Sequence, residues 1–224
     1  MAVVSTVGLE APQDFPTSAY ESVHRRVCAH VKDGSSAWFE YAGAWNGVIY
    51  RFLSLAEHDL SFTDSFRRFG DSPSPPERYR QERELFGFFL NGLACVESFA
   101  YGLFAIGSLV DPGAFPINKP DDLRSINLNR TQVNFTAVFP EERITATLGQ
   151  LRGSSELHAW KDIRNILAHR SAPGRSIYTS GEPAVWRAGP VLDLSTTGSR
   201  RAWLAQVLSA LLGDADAFVQ KVFP

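Results

Sequence analysis

Apolar residues recur at three- and four-residue intervals along most of this chain, and clusters of Pro, Gly and Ser cut the recurrence into segments. That is a helical period. Tyr20, Val23, Val27 and Val31 share one stripe of a helix from Thr17 to about Val31, with Thr17 or Ser18 as N-cap and Lys32-Asp33-Gly34 as its stop. Ser35 or Ser36 caps a second helix over roughly 36–60, whose Trp38, Tyr41, Trp45, Val48, Ile49 and Phe52 form a core face. Residues 70–76, Gly-Asp-Ser-Pro-Ser-Pro-Pro, read as a linker because clustered Pro forbids continued helix. A long third helix follows over about 77–110 and stops at Asp111-Pro112-Gly113.

Beyond it, Pro112, Pro116 and Pro120 make 111–128 a loop with at most a short turn. The helical pattern resumes at Thr131, breaks at Pro140 and restarts with Glu141-Glu142-Arg143 as an acidic first turn. Gly153 ends that helix, and Ser154 or Ser155 caps the next, from Glu156 to about Arg170, which Ser171-Ala172-Pro173-Gly174 terminates. Between 175 and 196, Ile177, Tyr178, Val185, Trp186, Val191 and Leu192 sit among Gly181, Pro183, Gly189 and Pro190, the pattern of short extended pieces or a hairpin-like flap. A last helix covers about 200–223, capped at Thr197-Gly198-Ser199, with Trp203, Val207, Leu211, Ala215 and Phe218 on one face. The predicted fold class is all-α: a helical bundle of about five to six helices with a short irregular or β-hairpin-like insertion near 175–196. Residues 1–16, with Pro12 and no periodicity, are expected as a flexible N-terminal arm, and 17–224 as a single domain.

Composition narrows the class. In 224 residues, 44% are hydrophobic and 21% charged, the balance of an ordinary soluble globular protein. A formal net charge of -2 excludes a globally basic nucleic-acid binder and leaves room only for a local basic cleft. Lys stands only at positions 32, 119, 161 and 221, so Arg, the better bidentate donor to carboxylate or phosphate, supplies nearly all the positive charge. Cys28 and Cys95 lie far apart and outside any C-x-x-C pattern, which excludes a zinc ribbon and a disulfide scaffold and fits a reducing compartment. The opening residues lack a basic segment followed by a long apolar one, so the expectation is a cytoplasmic protein. Leu85 to Val110 is apolar enough to span a bilayer, but Glu97 sits at its centre, where a carboxylate costs about 2.5–3.5 kcal/mol. A buried core helix is therefore expected, with no membrane partner.

The familiar phosphate loops, dinucleotide fingerprints, zincin helices and hydrolase elbows are all missing from the sequence. Five histidines remain to be read. His24 and Cys28 are one helical turn apart with His30 nearby, a spacing that offers two metal ligands without implying a third. His58, near an expected helix end, and His158, in a first turn, read as solvated groups. Arg164, Asn165 and His169 differ. Asn165 and His169 stack on one helical face, while Arg164 lies about 140° round from His169 with a side chain long enough to reach back. Together they present an imidazole, an amide and a guanidinium to one small anionic group. His169 and Arg170 also suit a final helical turn by complementing the macrodipole, and Ile163, Ile166 and Leu167 read as core.

Arg164-Asn165-x-x-x-His169 near the end of a helix in an all-helical chain resembles the Arg-x4-6-His signature of the HEPN superfamily, small helical bundles that include ribonucleases, toxins and catalytically silent members. The resemblance covers about a dozen residues firmly and, through helix order, 77–222, within a HEPN-like domain of 17–224. It implies metal-independent RNA cleavage without a cofactor, His169 transferring protons, Arg164 holding the scissile phosphate and Asn165 orienting either of them. A homodimer placing two motifs in one cleft is implied as well, as is restraint of a toxin or defence effector by an inhibitory protein partner. The alternative is a silent HEPN-like module that binds nucleotide, RNA or protein through the same surface. Arg170 is a supporting cation, and Glu97, a carboxylate inside an apolar helix, needs a partner when buried. Arg164 is one candidate partner for Glu97, and other arginines or solvent are the alternatives.

Overall fold

The computed structural model describes residues 3–4, 8–31, 34–169, 175–176, 185–186 and 193–224. Among them the chain is all-α, with eight helices: α1 (Thr17–His30), α2 (Ser36–Phe69), α3 (Pro75–Val110), α4 (Pro120–Ser125), α5 (Leu128–Val138), α6 (Arg143–Arg152), α7 (Ser155–His169) and α8 (Leu194–Val222). The count exceeds five to six, and one of the additional helices is α4, six residues long where a loop with at most a short turn is expected. Two ladders of two residues per strand complete the description: β1 (Val3–Val4) with β2 (Glu10–Ala11), and β3 (Arg175–Ser176) with β4 (Val185–Trp186), both antiparallel. The second ladder falls within the expected insertion, whose remaining residues up to 192 lie outside the described residues.

Several boundaries depart from the sequence reading, each for a local reason. Helix α1 takes Pro16 rather than Thr17 or Ser18 as its N-cap. Helix α2 runs nine residues past 60 because no breaker precedes Gly70 and the Phe62–Phe66 pair, with ring centroids 5.5 Å apart, continues the apolar stripe. Gly70 then adopts φ +71 and donates its N–H to Phe66 O. Helix α3 begins at Pro75, since a first turn needs no N–H from Pro. Asn127 Oδ1 accepts the N–H of Arg130, which starts α5 three residues before Thr131. Glu142 is the N-cap of α6 rather than part of its first turn. Helix α8 starts at Leu194, because Asp193 Oδ1 accepts the N–H of Thr196 at 2.9 Å and Thr197 is buried inside the helix. Hydrogen bonds from Ser195 and Thr196 hold the Asp193 carboxyl below its usual range.

The chain divides into two compact units, each discontinuous in sequence. Unit 1 comprises Met1–Arg51, Ala94–Ser154 and Ala205–Pro224. Its core includes Tyr20 and Trp45, stacked at 5.6 Å, where each side chain donates a 3.2 Å hydrogen bond to the other's backbone carbonyl. Phe104, Phe115, Phe135, Phe139 and Phe218 form a second aromatic cluster, which ties α3, α5 and α8 together. Gly107 lies against the Phe115 ring, where an added Cβ would come within 2.7 Å. Ala11 and Phe15, from the expected arm, are buried here, and Phe15 meets Tyr20 edge-on. Cys95 is fully buried and its thiol, which burial pushes up, donates to Val48 O, whereas Cys28 is exposed.

Unit 2 comprises Phe52–Leu93 and Ser155–Leu204. Its helical segments are 52–69 of α2, 75–93 of α3, α7 and 194–204 of α8. Trp160 packs against Phe88 and Phe89 at 5.3 and 5.2 Å, and Arg201 pairs with the buried Asp59 at 3.4 Å. Helices α3 and α8 are long and apolar enough to cross a membrane, and 67% and 44% of their apolar windows are buried.

Candidate functional site

Helix α7 carries the Arg-Asn-His constellation, and its packing within unit 2 sets which way each side chain faces. Leu157, Trp160 and Ile163 are buried, so the inward stripe follows the three-residue spacing of the sequence. Trp160 fixes the rotation of the helix. Its ring meets Phe88, Phe89 and Trp203, and it presses so closely on Gly92 that a Cβ there would lie 1.9 Å from Trp160 Cζ3. At the start of the helix Glu156 accepts a hydrogen bond from Arg200, whose guanidinium also stands 5.8 Å above the Phe89 ring centroid.

With that rotation fixed, Arg164 stands one turn after Trp160 and is half-buried. Its Nε is buried and has no hydrogen-bond partner among the described residues. A buried guanidinium N–H left unpaired costs about 1–3 kcal/mol or more, so an acceptor at this position would be favoured. Asn165 is exposed. His169 is the last residue of α7, so the backbone carries all three on one helix as the spacing predicts. The side chain of His169, and Arg170 altogether, lie outside the described residues.

Glu97 belongs to unit 1, where it is half-buried on α3. Its described hydrogen-bond partner is the backbone N–H of Leu128, which donates to Oε2 at 3.0 Å. Leu128 opens α5, so the carboxylate satisfies one of the N–H groups that a helix leaves unpaired at its start and faces the positive end of the helix dipole.

Sequence reasoning missed His58. Because α2 continues to Phe69, His58 lies in a helix interior rather than near an end, and its Nδ1 is 2.7 Å from Glu84 Oε2. Arg83 bonds the other carboxylate oxygen, and Gly87 leaves room for the imidazole, whose atoms would lie 2.3–2.6 Å from an added Cβ. Burial pushes the Glu84 carboxyl up, but hydrogen bonds from His58 and Arg83 outweigh it and hold the group below its usual range. The available signal was Gly87, a glycine inside a helix three residues after a carboxylate. His158 is exposed, as expected. Cys28 Sγ lies 3.5 Å from His24 Nε2, and Tyr41 Oη lies 3.4 Å from His24 Nδ1. Among the described residues no three His, Cys, Asp or Glu side chains group to hold a metal ion.

Comparison with known proteins found no matching family model, no matching curated protein and no matching solved structure.

Proposed function

We propose that the chain is a HEPN-type endoribonuclease that cuts RNA without a metal ion and acts as a cytoplasmic homodimer. The observation that carries this reading is the Arg164 Nε–H, buried without a partner among the described residues on the helix that also bears Asn165 and ends in His169. In this reading the HEPN bundle spans 77–222, α3 and α8 are core helices of a soluble protein, and an inhibitory protein partner restrains a toxin or defence effector. Arg164 holds a non-bridging oxygen of the scissile phosphate, which satisfies the unpaired donor and stabilises charge that grows in the transition state. The ribose 2′-oxygen forms its bond to phosphorus as its proton passes to a base, and the bond from phosphorus to the 5′-oxygen breaks as that oxygen takes a proton from an acid. His169 serves as one of these two groups, Asn165 orients it or the phosphate, and Arg170 adds positive charge for the RNA backbone.

The test is incubation of the purified protein with a mixed RNA pool, with and without EDTA, followed by analysis of product ends. Cleavage is expected in both samples, with 2′,3′-cyclic phosphate and 5′-hydroxyl ends. Cleavage that needs a divalent cation, or leaves 3′-hydroxyl ends, overturns the mechanism. No cleavage together with tight binding of RNA or nucleotide selects the silent HEPN-like module instead.

A further inference from the structure

A cavity of about 440 Å³ opens within unit 1 between α2 and α3, within the size range of small-ligand sites. Phe39 and Glu40 line it from α2, Glu97 and Tyr101 from α3, and Arg51 completes its charged groups. Ala44 and Ile126 add apolar surface. The two carboxylates come from different helices, and among the described residues each is held by a single hydrogen bond. Tyr101 Oη donates to Glu40 Oε2 at 2.7 Å, and the Leu128 N–H donates to Glu97 Oε2 at 3.0 Å. Burial and the neighbouring Glu40 push the Tyr101 phenol up, so it remains a donor at neutral pH. Neither carboxylate forms an ion pair among the described residues, and each keeps one oxygen without a described donor.

Phe39 supplies an independent observation. It is 66% exposed, a large aromatic ring left in water beside the carboxylates, although folding stabilises aromatic residues chiefly by burying them. An exposed ring face beside fixed negative charge is the recognition set for an organic cation, which gains from the ring's quadrupole and from the carboxylates together. Glu40 and Glu97 place two carboxylates on the cavity wall.

From this arrangement we infer that the cavity between α2 and α3 in unit 1 is a binding site for a small organic cation. The ligand carries an ammonium or guanidinium head beside a short apolar or aromatic body. The head lies between Glu40 and Glu97, and the body rests on Phe39 and Ala44. The inference goes beyond the ribonuclease reading and does not depend on it, because every lining residue belongs to unit 1 whereas Arg164 and His169 belong to unit 2.

Titration calorimetry of the full chain with benzylammonium, choline and guanidinium-bearing agmatine tests it, with neutral benzyl alcohol and guanosine monophosphate as comparators. Saturable binding of at least one cation is expected, with benzyl alcohol at least about tenfold weaker than benzylammonium, the loss of one charge-assisted interaction. Glu40→Gln and Glu97→Gln should each weaken the bound cation by about tenfold, and the amide introduced by the second change retains a carbonyl for the Leu128 N–H, so the fold is kept. Phe39→Ala, a change at an exposed position, should weaken it by about threefold. Circular dichroism confirms that each variant is folded. Absence of saturation with all three cations, equal affinity for benzyl alcohol, or folded Gln variants with unchanged affinity overturns the inference. Tighter binding of guanosine monophosphate than of the cations, lost in Glu97→Gln, also overturns it by assigning the cavity to a nucleobase. Repeating the titration on His169→Ala keeps the two readings apart: cation binding is expected to persist there whether or not the chain cleaves RNA.

Discussion

A dimer assembled from one unaltered chain and one His169→Ala chain is expected to cleave RNA at close to the rate of the doubly altered dimer, far below half the unaltered rate. Attack by the 2′-hydroxyl and departure of the 5′-oxygen each move a proton, and one imidazole cannot serve both at the same instant. The Arg164-Asn165-His169 motif contains one histidine, so in the proposed mechanism a two-fold dimer that brings two motifs to one cleft would supply the missing group. With such a shared cleft, every mixed dimer has lost half of its only pair, whereas independent sites would leave about half the activity by simple counting. Arg164→Ala should behave in the same way, because a phosphate clamp that lacks one guanidinium is damaged as a whole. Mixed dimers purified through two different affinity tags, assayed beside both parent dimers, provide the measurement. Activity near one half would show independent sites and remove the reason for a dimer, even with His169 essential.

Gly92→Ala is expected to be the most destabilising single methyl addition among the described glycines. Its Cβ would lie 1.9 Å from Trp160 Cζ3, 2.4 Å from Cη2 and 2.9 Å from Leu55 Cδ1, all within unit 2. The indole cannot move aside without opening its contacts with Phe88, Phe89 and Trp203, and it is 1% exposed. Overpacking of a well-filled core commonly costs about 1–3 kcal/mol, and an overlap this deep belongs at or beyond the upper end. Because Trp160 sets the rotation of α7, the same change should displace Arg164 one turn on and depress RNA cleavage in whatever fraction stays folded. Gly149→Ala is the control. Gly149 lies inside α6 with nothing within 4 Å of an added Cβ, so the substitution should stabilise by about 0.5–1 kcal/mol through helix propensity. Urea unfolding followed by circular dichroism checks both directions; a Gly92→Ala protein as stable as the parent would contradict the packing argument.

What could be read from the sequence was local. Trp38, Tyr41, Trp45, Val48, Ile49 and Phe52 marked α2 because a 3.6-residue period belongs to one helix, and the Pro cluster at 73–76 marked its separation from α3. Two of the errors at helix starts share an origin: Asp193 and Asn127 cap helices that the apolar pattern alone begins later. Arg164, Asn165 and His169 were legible as a group because they sit within six residues of one helix. His58 with Glu84, and Glu40 with Tyr101, were not, because 26 and 61 residues separate the partners and only packing between helices brings them together. The neighbours of Glu97 illustrate the same limit. Its position in an apolar run announced the need for a partner, yet the partner found is a backbone N–H at the start of a helix, which no side-chain inventory contains.

The contrast between the chain's two thiols has a practical consequence. Cys28 is exposed, whereas Cys95 is sealed between α2 and α3 with its sulfur hydrogen-bonded to Val48 O. An alkylating reagent therefore meets one accessible sulfur in the folded protein, and the second becomes available only when that part of unit 1 opens. The native chain can take a single dye or spin label at Cys28 without engineering, which would allow the separation between subunits of the proposed dimer to be measured on the unaltered protein. The slow second alkylation, in turn, times the opening of the core around Cys95.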